Sequence, residues 1–105
     1  MSSNQIKVNE KVESIILKIQ SIVADQMKGD YKLFLFGSRA NGKSIERSDI
    51  DIAIMTNRKV DPSILAEIRE NIENISTLLK IDFVDLSTVD ADFRNHVLET
   101  GNRLD

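Results

Sequence analysis

Hydrophobic residues recur at helical spacing in the first third of the chain, which predicts one long amphipathic helix. The apolar positions are Val12, Ile15, Ile16, Ile19, Ile22, Val23 and Met27. Their spacing places them on one face of a helix that runs from Glu10 to Lys28. Gly29 follows the last apolar position, and we expect it to cap the C-terminus of this helix.

Three short apolar segments predict strands. Lys32 to Phe36 is apolar on both faces, which is typical of a buried central strand. Asp49 to Met55 alternates, so that its isoleucines share one face while Asp49 and Asp51 share the other. Lys80 to Leu86 predicts a third strand.

Two more helices are predicted, one before and one after the third strand. Asp61 and Pro62 form the signature of a helix start, with an N-cap and a proline at the first helical position. The buried stripe of this helix is predicted to be Ile64, Ile68, Ile72, Ile75 and Leu79. Ser87 to Thr100 predicts the last helix, with Phe93 facing inward and Gly101 as its cap.

The predicted order of elements is α-β-β-α-β-α. A chain of 105 residues suffices for one small domain, so residues 1–105 are expected to form a single unit. The fold class is therefore predicted to be α+β, with a small mixed sheet and packed helices in a two-layer arrangement.

The composition limits the kinds of partner and metal site that the chain can have. The net charge is −3, which gives no sign of a basic surface for nucleic acid. The apolar runs span only a few residues, too few to cross a bilayer. There is no cysteine, which fits a cytoplasmic protein, and one histidine, so a metal site must use carboxylate oxygens. Such oxygens favour magnesium, manganese or calcium.

The loop after the first strand has two interpretations. Gly37 to Ser44 satisfies the pattern G-x-x-x-x-G-K-[ST] of a phosphate-binding P-loop. In a P-loop the final Lys-Ser pair opens a long helix. Only four residues separate Ser44 from the strand at Asp49, and a helix of roughly ten residues does not fit there. A P-loop NTPase is therefore the less favoured alternative.

The second interpretation joins the Gly37-Ser38 turn to the acids of the next strand. Ten residues separate Ser38 from the Asp49-x-Asp51 pair. Carboxylates two positions apart on a strand share a face at roughly 6 to 7 Å, close enough to hold a pair of divalent cations. Gly37 would let the backbone approach a phosphate, and the Ser38 hydroxyl would donate to it.

A third acid is expected on the third strand, which carries Asp82 and Asp85. Their separation is odd, so alternation places them on opposite faces and only one can join the site. Alternation by itself does not choose between them. A second close pair, Asp90 and Asp92, sits where a helix begins, and capping is expected to explain it.

These motifs carry a resemblance. The run Phe36-Gly37-Ser38-Arg39-Ala40, the strand from Ser48 to Ile54 and a later strand aspartate resemble the DNA polymerase β-type nucleotidyltransferase superfamily, in its minimal (MNT) branch. The resemblance implies that Gly37 and Ser38 hold the triphosphate and that Asp49 and Asp51 hold metal. It also selects Asp82, within Ile81-Asp82-Phe83-Val84, as the third metal-binding and catalytic acid.

Basic residues near these acids are further candidates. Arg39, Lys43 and Arg47 either steer the triphosphate or are solvated loop charges. Arg39 and Lys43 are taken as nucleotide-binding candidates. Position 41 is asparagine, where related proteins often carry a basic residue, so one phosphate contact is in doubt.

The resemblance also implies an activity and a partner. It implies transfer of AMP from ATP with two Mg²⁺ ions, or Mn²⁺, to a tyrosine of a small helical HEPN toxin encoded nearby, which makes the chain an antitoxin. The alternative is a non-catalytic module that sequesters such a partner. The base preference and the choice between a homodimer and a hetero-oligomer stay open.

Overall fold

The computed structural model describes residues 3–42 and 48–104, with the backbone alone for residues 3–10. The elements in chain order are α1 (Ser3–Gln26), β1 (Lys32–Phe36), a 3-10 turn (Gly37–Arg39), β2 (Ile50–Met55), α2 (Pro62–Glu73), β3 (Ile81–Asp85), α3 (Ala91–Thr100) and β4 (Asn102–Leu104). The predicted order is confirmed for its six elements, and β4 is an addition.

The four strands form one mixed sheet in the order β3-β2-β1-β4. β1 pairs antiparallel with both β2 and β4, whereas β2 pairs parallel with β3. β1 and β2 are therefore the central strands, which fits their apolar character. The prediction of an α+β fold with a small mixed sheet is confirmed.

Helices pack on both faces of the sheet, so there are three layers where two were predicted. The isoleucines at 50, 52 and 54 are completely buried, and they form the main core with Ile19 and Val23 of α1 and Ile68 of α2. The opposite face carries a smaller cluster of Phe34, Ala53, Leu86 and Val97. Val97 belongs to α3, so the short third helix covers the face that also carries Asp51.

The helix starts follow local hydrogen bonding. At the start of α2, the amide of Ser63 donates to Asp61 Oδ1 at 2.8 Å, and Pro62 occupies the first turn, as predicted. The last helix begins at Ala91, later than the predicted Ser87, because Ser87 instead turns back to donate its amide to Asp85 Oδ1 at 2.9 Å.

The helix ends also differ in part from the prediction. α1 begins at Ser3, earlier than the predicted Glu10, and the chain turns at Gly29 with φ +89°. α2 ends at Glu73, so Ile75 and Leu79 pack on the core from the following loop. The apolar spacing continues through this loop because both residues are partly buried by tertiary packing.

The strand β4 was not predicted. It has three residues, which are too few to show an alternating pattern, and it pairs with β1 through Leu33 and Leu104. Gly101 caps α3 as predicted. A Cβ there would lie 2.6 Å from the Val97 carbonyl oxygen and 3.2 Å from that of Leu35, so glycine is needed for β4 to approach β1.

No helix within residues 3–42 and 48–104 is both long and apolar enough to cross a bilayer.

Candidate active site

The sheet brings the end of β1 next to the starts of β2 and β3. Phe36, the last residue of β1, pairs with Asp51, and Asp51 pairs with Asp82 of β3. Because paired residues share a face of the sheet, Asp51 and Asp82 project on the same side. The Gly37-Ser38 turn follows Phe36 directly and therefore lies at the same edge.

Three carboxylates meet at this edge. Asp49, Asp51 and Asp82 each place one oxygen so that all three oxygens lie within 4.8 Å of one another. Asp49 is exposed and the other two are half-buried. Opposite oxygens on a magnesium ion lie about 4.2 Å apart, twice the usual metal–oxygen distance. The donor set and its spacing therefore suit a small hard cation.

The cluster is electrostatically unfavourable without a cation. The pKa of Asp51 is raised above 3.8, first by burial, then by the charge of Asp82 and by a hydrogen bond with Asp82. The charge of Asp49 raises it further, and Lys80 opposes the shift. A bound divalent cation would lower the pKa of Asp51 instead, because it favours the ionised form of the carboxylates around it.

Lys80 lies beside the cluster and was missed by sequence reasoning. Its Nζ is 3.9 Å from Asp82 Oδ1, and its side chain is 70% exposed. Its carbonyl accepts a hydrogen bond from the Ile50 amide at 2.9 Å, which joins the loop before β3 to the start of β2. A solvated ion pair of this kind stabilises the fold by about 1 kcal/mol at most. The sequence offered no signal for Lys80 beyond its position at a strand start.

Gly37 is required by conformation and by space. Its φ is +77°, a region that residues with a Cβ rarely occupy. A Cβ at this position would also overlap Oδ2 of Asp51. The 3-10 turn is closed by hydrogen bonds from the amides of Ala40 and Asn41 to the Gly37 carbonyl, at 3.1 and 3.3 Å. The predicted phosphate turn thus packs directly against the predicted metal acid.

Of the predicted basic residues, the structure describes Arg39. Its Nε and Nη2 both donate to the Ser48 carbonyl, at 3.0 and 2.7 Å. Lys43 and Arg47 lie outside the described residues, as does Ser44 of the P-loop pattern. The predicted nucleotide contact of Lys43 and the two alternatives for Arg47, steering or a solvated charge, therefore stay predictions.

Asp85 belongs to the opposite face of the sheet. It pairs with Ile54, is 1% exposed and accepts three hydrogen bonds. The donors are the Val60 amide at 3.3 Å and the Ser87 amide and hydroxyl at 2.9 and 2.8 Å. The predicted opposition of Asp82 and Asp85 is confirmed, and Asp82 is the one that lies with Asp49 and Asp51.

The second acid pair is structural, as predicted. Asp90 is the N-cap of α3, and its Oδ1 accepts the Phe93 amide at 2.8 Å. Asp92 lies exposed in the first turn, where a negative charge complements the helix dipole.

A cleft of about 500 Å³ lies elsewhere, between the end of α1 and the loop after β2. Its lining includes Lys28, Arg58 and Lys59 but none of the three clustered aspartates. Because β1 begins and β2 ends beside it, this cleft occupies the opposite end of the sheet from the carboxylates.

Comparison with known proteins identifies a matching family and a similar relative. The family described as "Polymerase beta, Nucleotidyltransferase" matches residues 17–104. A probable protein adenylyltransferase MntA from Haemophilus influenzae is 30% identical over 83 residues, which cover 79% of this chain and 73% of that protein.

Solved structures share the fold. A crystal structure of a toxin–antitoxin with AMP-PNP has a TM-score of 0.66 and 25% identity, covering 82% of this chain and 68% of that one. A tri-AMPylated Shewanella oneidensis HEPN toxin in complex with MNT antitoxin has a TM-score of 0.64 and 22% identity, covering 87% and 69%. At this lower identity the second likeness concerns the fold.

Proposed function

Because the chain belongs to the polymerase beta nucleotidyltransferase family, we propose that it transfers AMP from ATP to a hydroxyl group of a partner protein. The observation that carries the proposal is the carboxylate cluster of Asp49, Asp51 and Asp82 beside the Gly37 turn. A triphosphate and its cations would need both parts at one place, with the aspartates holding the cations and the turn holding the phosphates.

Gly37 and Ser38 are proposed to hold the triphosphate. The turn exposes Gly37, and its positive φ turns successive backbone amides in a way that can line an anion site. Ser38 is half-buried and adds a hydroxyl donor. The close packing of Gly37 on Asp51 would hold the phosphates next to the metal acids.

Asp49, Asp51 and Asp82 are proposed to hold two divalent cations, Mg²⁺ or alternatively Mn²⁺. When bound, such a cation pair stabilises charge on the attacking and leaving oxygens of an in-line displacement. The acceptor oxygen forms a bond to the α-phosphorus, and the bond from that phosphorus to the β-phosphate bridging oxygen breaks. Pyrophosphate leaves with the bond electrons. Asp82 is proposed to receive the hydroxyl proton.

The acceptor is proposed to be a tyrosine of a small helical HEPN-type toxin encoded nearby, so that the chain acts as an antitoxin. The name of the Haemophilus relative supports adenylyl transfer to protein, and the AMP-PNP complex supports a nucleotide within a toxin–antitoxin pair. The HEPN class of partner is what the resemblance of the sequence to the MNT branch implies. A purely sequestering role is the rival outcome.

The test uses the purified chain, labelled ATP, Mg²⁺ and the neighbouring protein. Wild type is expected to label the partner. Asp49→Ala is expected to lower the rate at least ~10³-fold, because preorganised charge at the transition state supplies several kcal/mol. Asp92→Ala is the matched control. Like Asp49, Asp92 is an exposed acid two positions from another aspartate, but it lies in α3.

The other outcomes separate the alternatives. Partner binding by wild type without any label transfer would favour sequestration. Phosphate release that Lys43→Ala abolishes and Asp49→Ala spares would favour a P-loop NTPase. Mass analysis of the labelled partner identifies the modified side chain.

A further inference from the structure

Arg39 joins the two ends of the loop between β1 and β2. Its Nε and Nη2 both donate to the Ser48 carbonyl oxygen, at 3.0 and 2.7 Å, across nine positions of sequence. Both residues are half-buried. Hydrogen bonds from a charged guanidinium are stronger than those between neutral groups, and its planar fork fixes their direction.

The residue held by this contact precedes a metal acid. Asp49 lies between Ser48 and β2, which begins at Ile50. The first backbone bond that joins this stretch to β3 runs from the Ile50 amide to the Lys80 carbonyl at 2.9 Å. Asp49 is therefore flanked by two anchored positions, and Arg39 supplies the one on its N-terminal side.

We propose that Arg39 is a positioning residue, which holds the Asp49 carboxylate within reach of Asp51 and Asp82. Arg39 is the last residue of the 3-10 turn that begins at Gly37. The same guanidinium therefore keeps the phosphate turn and the start of the acidic strand at a constant separation. The inference rests on the proposed function only in taking the carboxylate cluster as a cation site.

This role differs from a direct contact with phosphate. A phosphate ligand would act only when a nucleotide is present, and a lysine would retain much of its charge interaction. A positioning residue acts on the cation site itself, and a lysine cannot place two donors of a planar fork on one carbonyl oxygen.

The test titrates Mn²⁺ alone into the intact chain, without nucleotide, and follows free Mn²⁺ by electron paramagnetic resonance. Arg39→Lys and Arg39→Gln are each expected to weaken Mn²⁺ binding about tenfold, as expected when a charge-assisted bond is lost. Removal of a positive charge near three acids would by itself tighten cation binding. Weaker binding by Arg39→Gln therefore reports position and not charge.

Arg58→Gln is the matched control, because Arg58 is exposed and lines the cleft at the other end of the sheet. Thermal unfolding without metal identifies any variant that fails to fold, and Arg39→Lys is the milder change. Unchanged Mn²⁺ binding by a folded Arg39→Lys, or no Mn²⁺ binding by wild type, would overturn the proposal.

A second readout separates this inference from the proposed function. If Arg39 acts through the cation site, label transfer by Arg39→Lys should recover at high Mn²⁺. If Arg39 instead contacts phosphate, the loss of label transfer should persist at high Mn²⁺. Should wild type transfer no AMP while its Mn²⁺ binding still depends on Arg39, the positioning role would stand and the proposed function would fail.

Discussion

Asp82 and Asp85 lie three positions apart on β3, yet their surroundings are opposite. Asp85 is 1% exposed, and the Val60 amide and both donors of Ser87 fill its oxygens. Its oxygens accept hydrogen bonds that form as soon as the chain folds.

Asp82 instead faces other charges. Its side chain is 44% exposed, and it lies with the carboxylates of Asp49 and Asp51 and with Lys80. An acid that folding provides with donors stabilises the fold. An acid that folding places among other acids lowers the stability of the fold unless a cation is bound. The two acids of β3 thus contrast a carboxylate filled by hydrogen bonds with one that is proposed to bind a cation.

The carboxylate cluster of Asp49, Asp51 and Asp82 is called the open site. The largest expected effect is on activity at this site. Asp51→Asn keeps the shape of the side chain and removes its charge, so it should lower AMP transfer by ~10³-fold or more, or about 4 kcal/mol. Its fold should be retained, because a neutral amide relieves repulsion with Asp49 and Asp82. Initial rates with labelled ATP measure the loss. A variant with near wild-type rates would remove Asp51 from the site.

The next effect is on stability at the buried carboxylate of Asp85. Asp85→Ala should lower the free energy of unfolding by about 2 to 3 kcal/mol, because it leaves the buried Val60 amide without its acceptor and removes the acceptor of the exposed Ser87. Urea unfolding measures the change. Mn²⁺ affinity of the folded fraction should stay at the wild-type value, since Asp85 faces the other side of the sheet. A loss of Mn²⁺ binding greater than the loss of folded protein would erase the contrast with Asp82.

A third effect concerns the turn that touches the open site. Gly37→Ala should cost about 1 to 2 kcal/mol of stability for its positive φ, and its Cβ should also displace the Asp51 carboxylate. Gly29→Ala is the matched control, because Gly29 has φ +89° with nothing within 4 Å of an added Cβ. Both variants should lose similar stability, while only Gly37→Ala should weaken Mn²⁺ binding. Equal Mn²⁺ affinities would show that the overlap relaxes without cost.

The sequence predicted the parts of this contrast that depend on neighbouring residues. Alternation placed Asp82 and Asp85 on opposite faces, and helix-start chemistry identified Asp90 as a cap, because both rules act over a few neighbouring residues. The choice of Asp82 came from resemblance. The structure supplies the physical reason, which is the register that pairs Asp82 with Asp51.

Features that depend on distant parts of the chain were not predicted. The strand β4 (Asn102–Leu104) forms because β1 offers an unpaired edge, which its own three residues cannot reveal. The Lys80 ion pair and the Arg39 contact with Ser48 likewise depend on how loops close in space. The sequence made Arg39 a candidate for nucleotide binding, which stays a prediction, and the fold adds its contact with the Ser48 carbonyl.

The smallest expected effect is the stability that the open site loses in the absence of a cation. Burial and the charge of Asp82 raise the pKa of Asp51 above 3.8, so the folded state binds this proton more tightly than the unfolded state. The resulting penalty is absent below pH 3.8, grows as pH rises through the raised pKa and is complete above it. Asp51→Asn should therefore be slightly more stable than wild type at neutral pH in a chelator.

This gain should disappear as the pH falls towards 3.8, because wild-type Asp51 then becomes neutral as well. Urea unfolding of both proteins over this range measures the difference, with Asp92→Asn as a control that should show no gain. Saturating Mn²⁺ should invert the order at neutral pH, since binding to the folded state stabilises wild type and much less the variant. If Asp51→Asn were less stable in chelator at neutral pH, Asp51 would resemble Asp85, and the distinction between open and filled carboxylates would fail at its central residue.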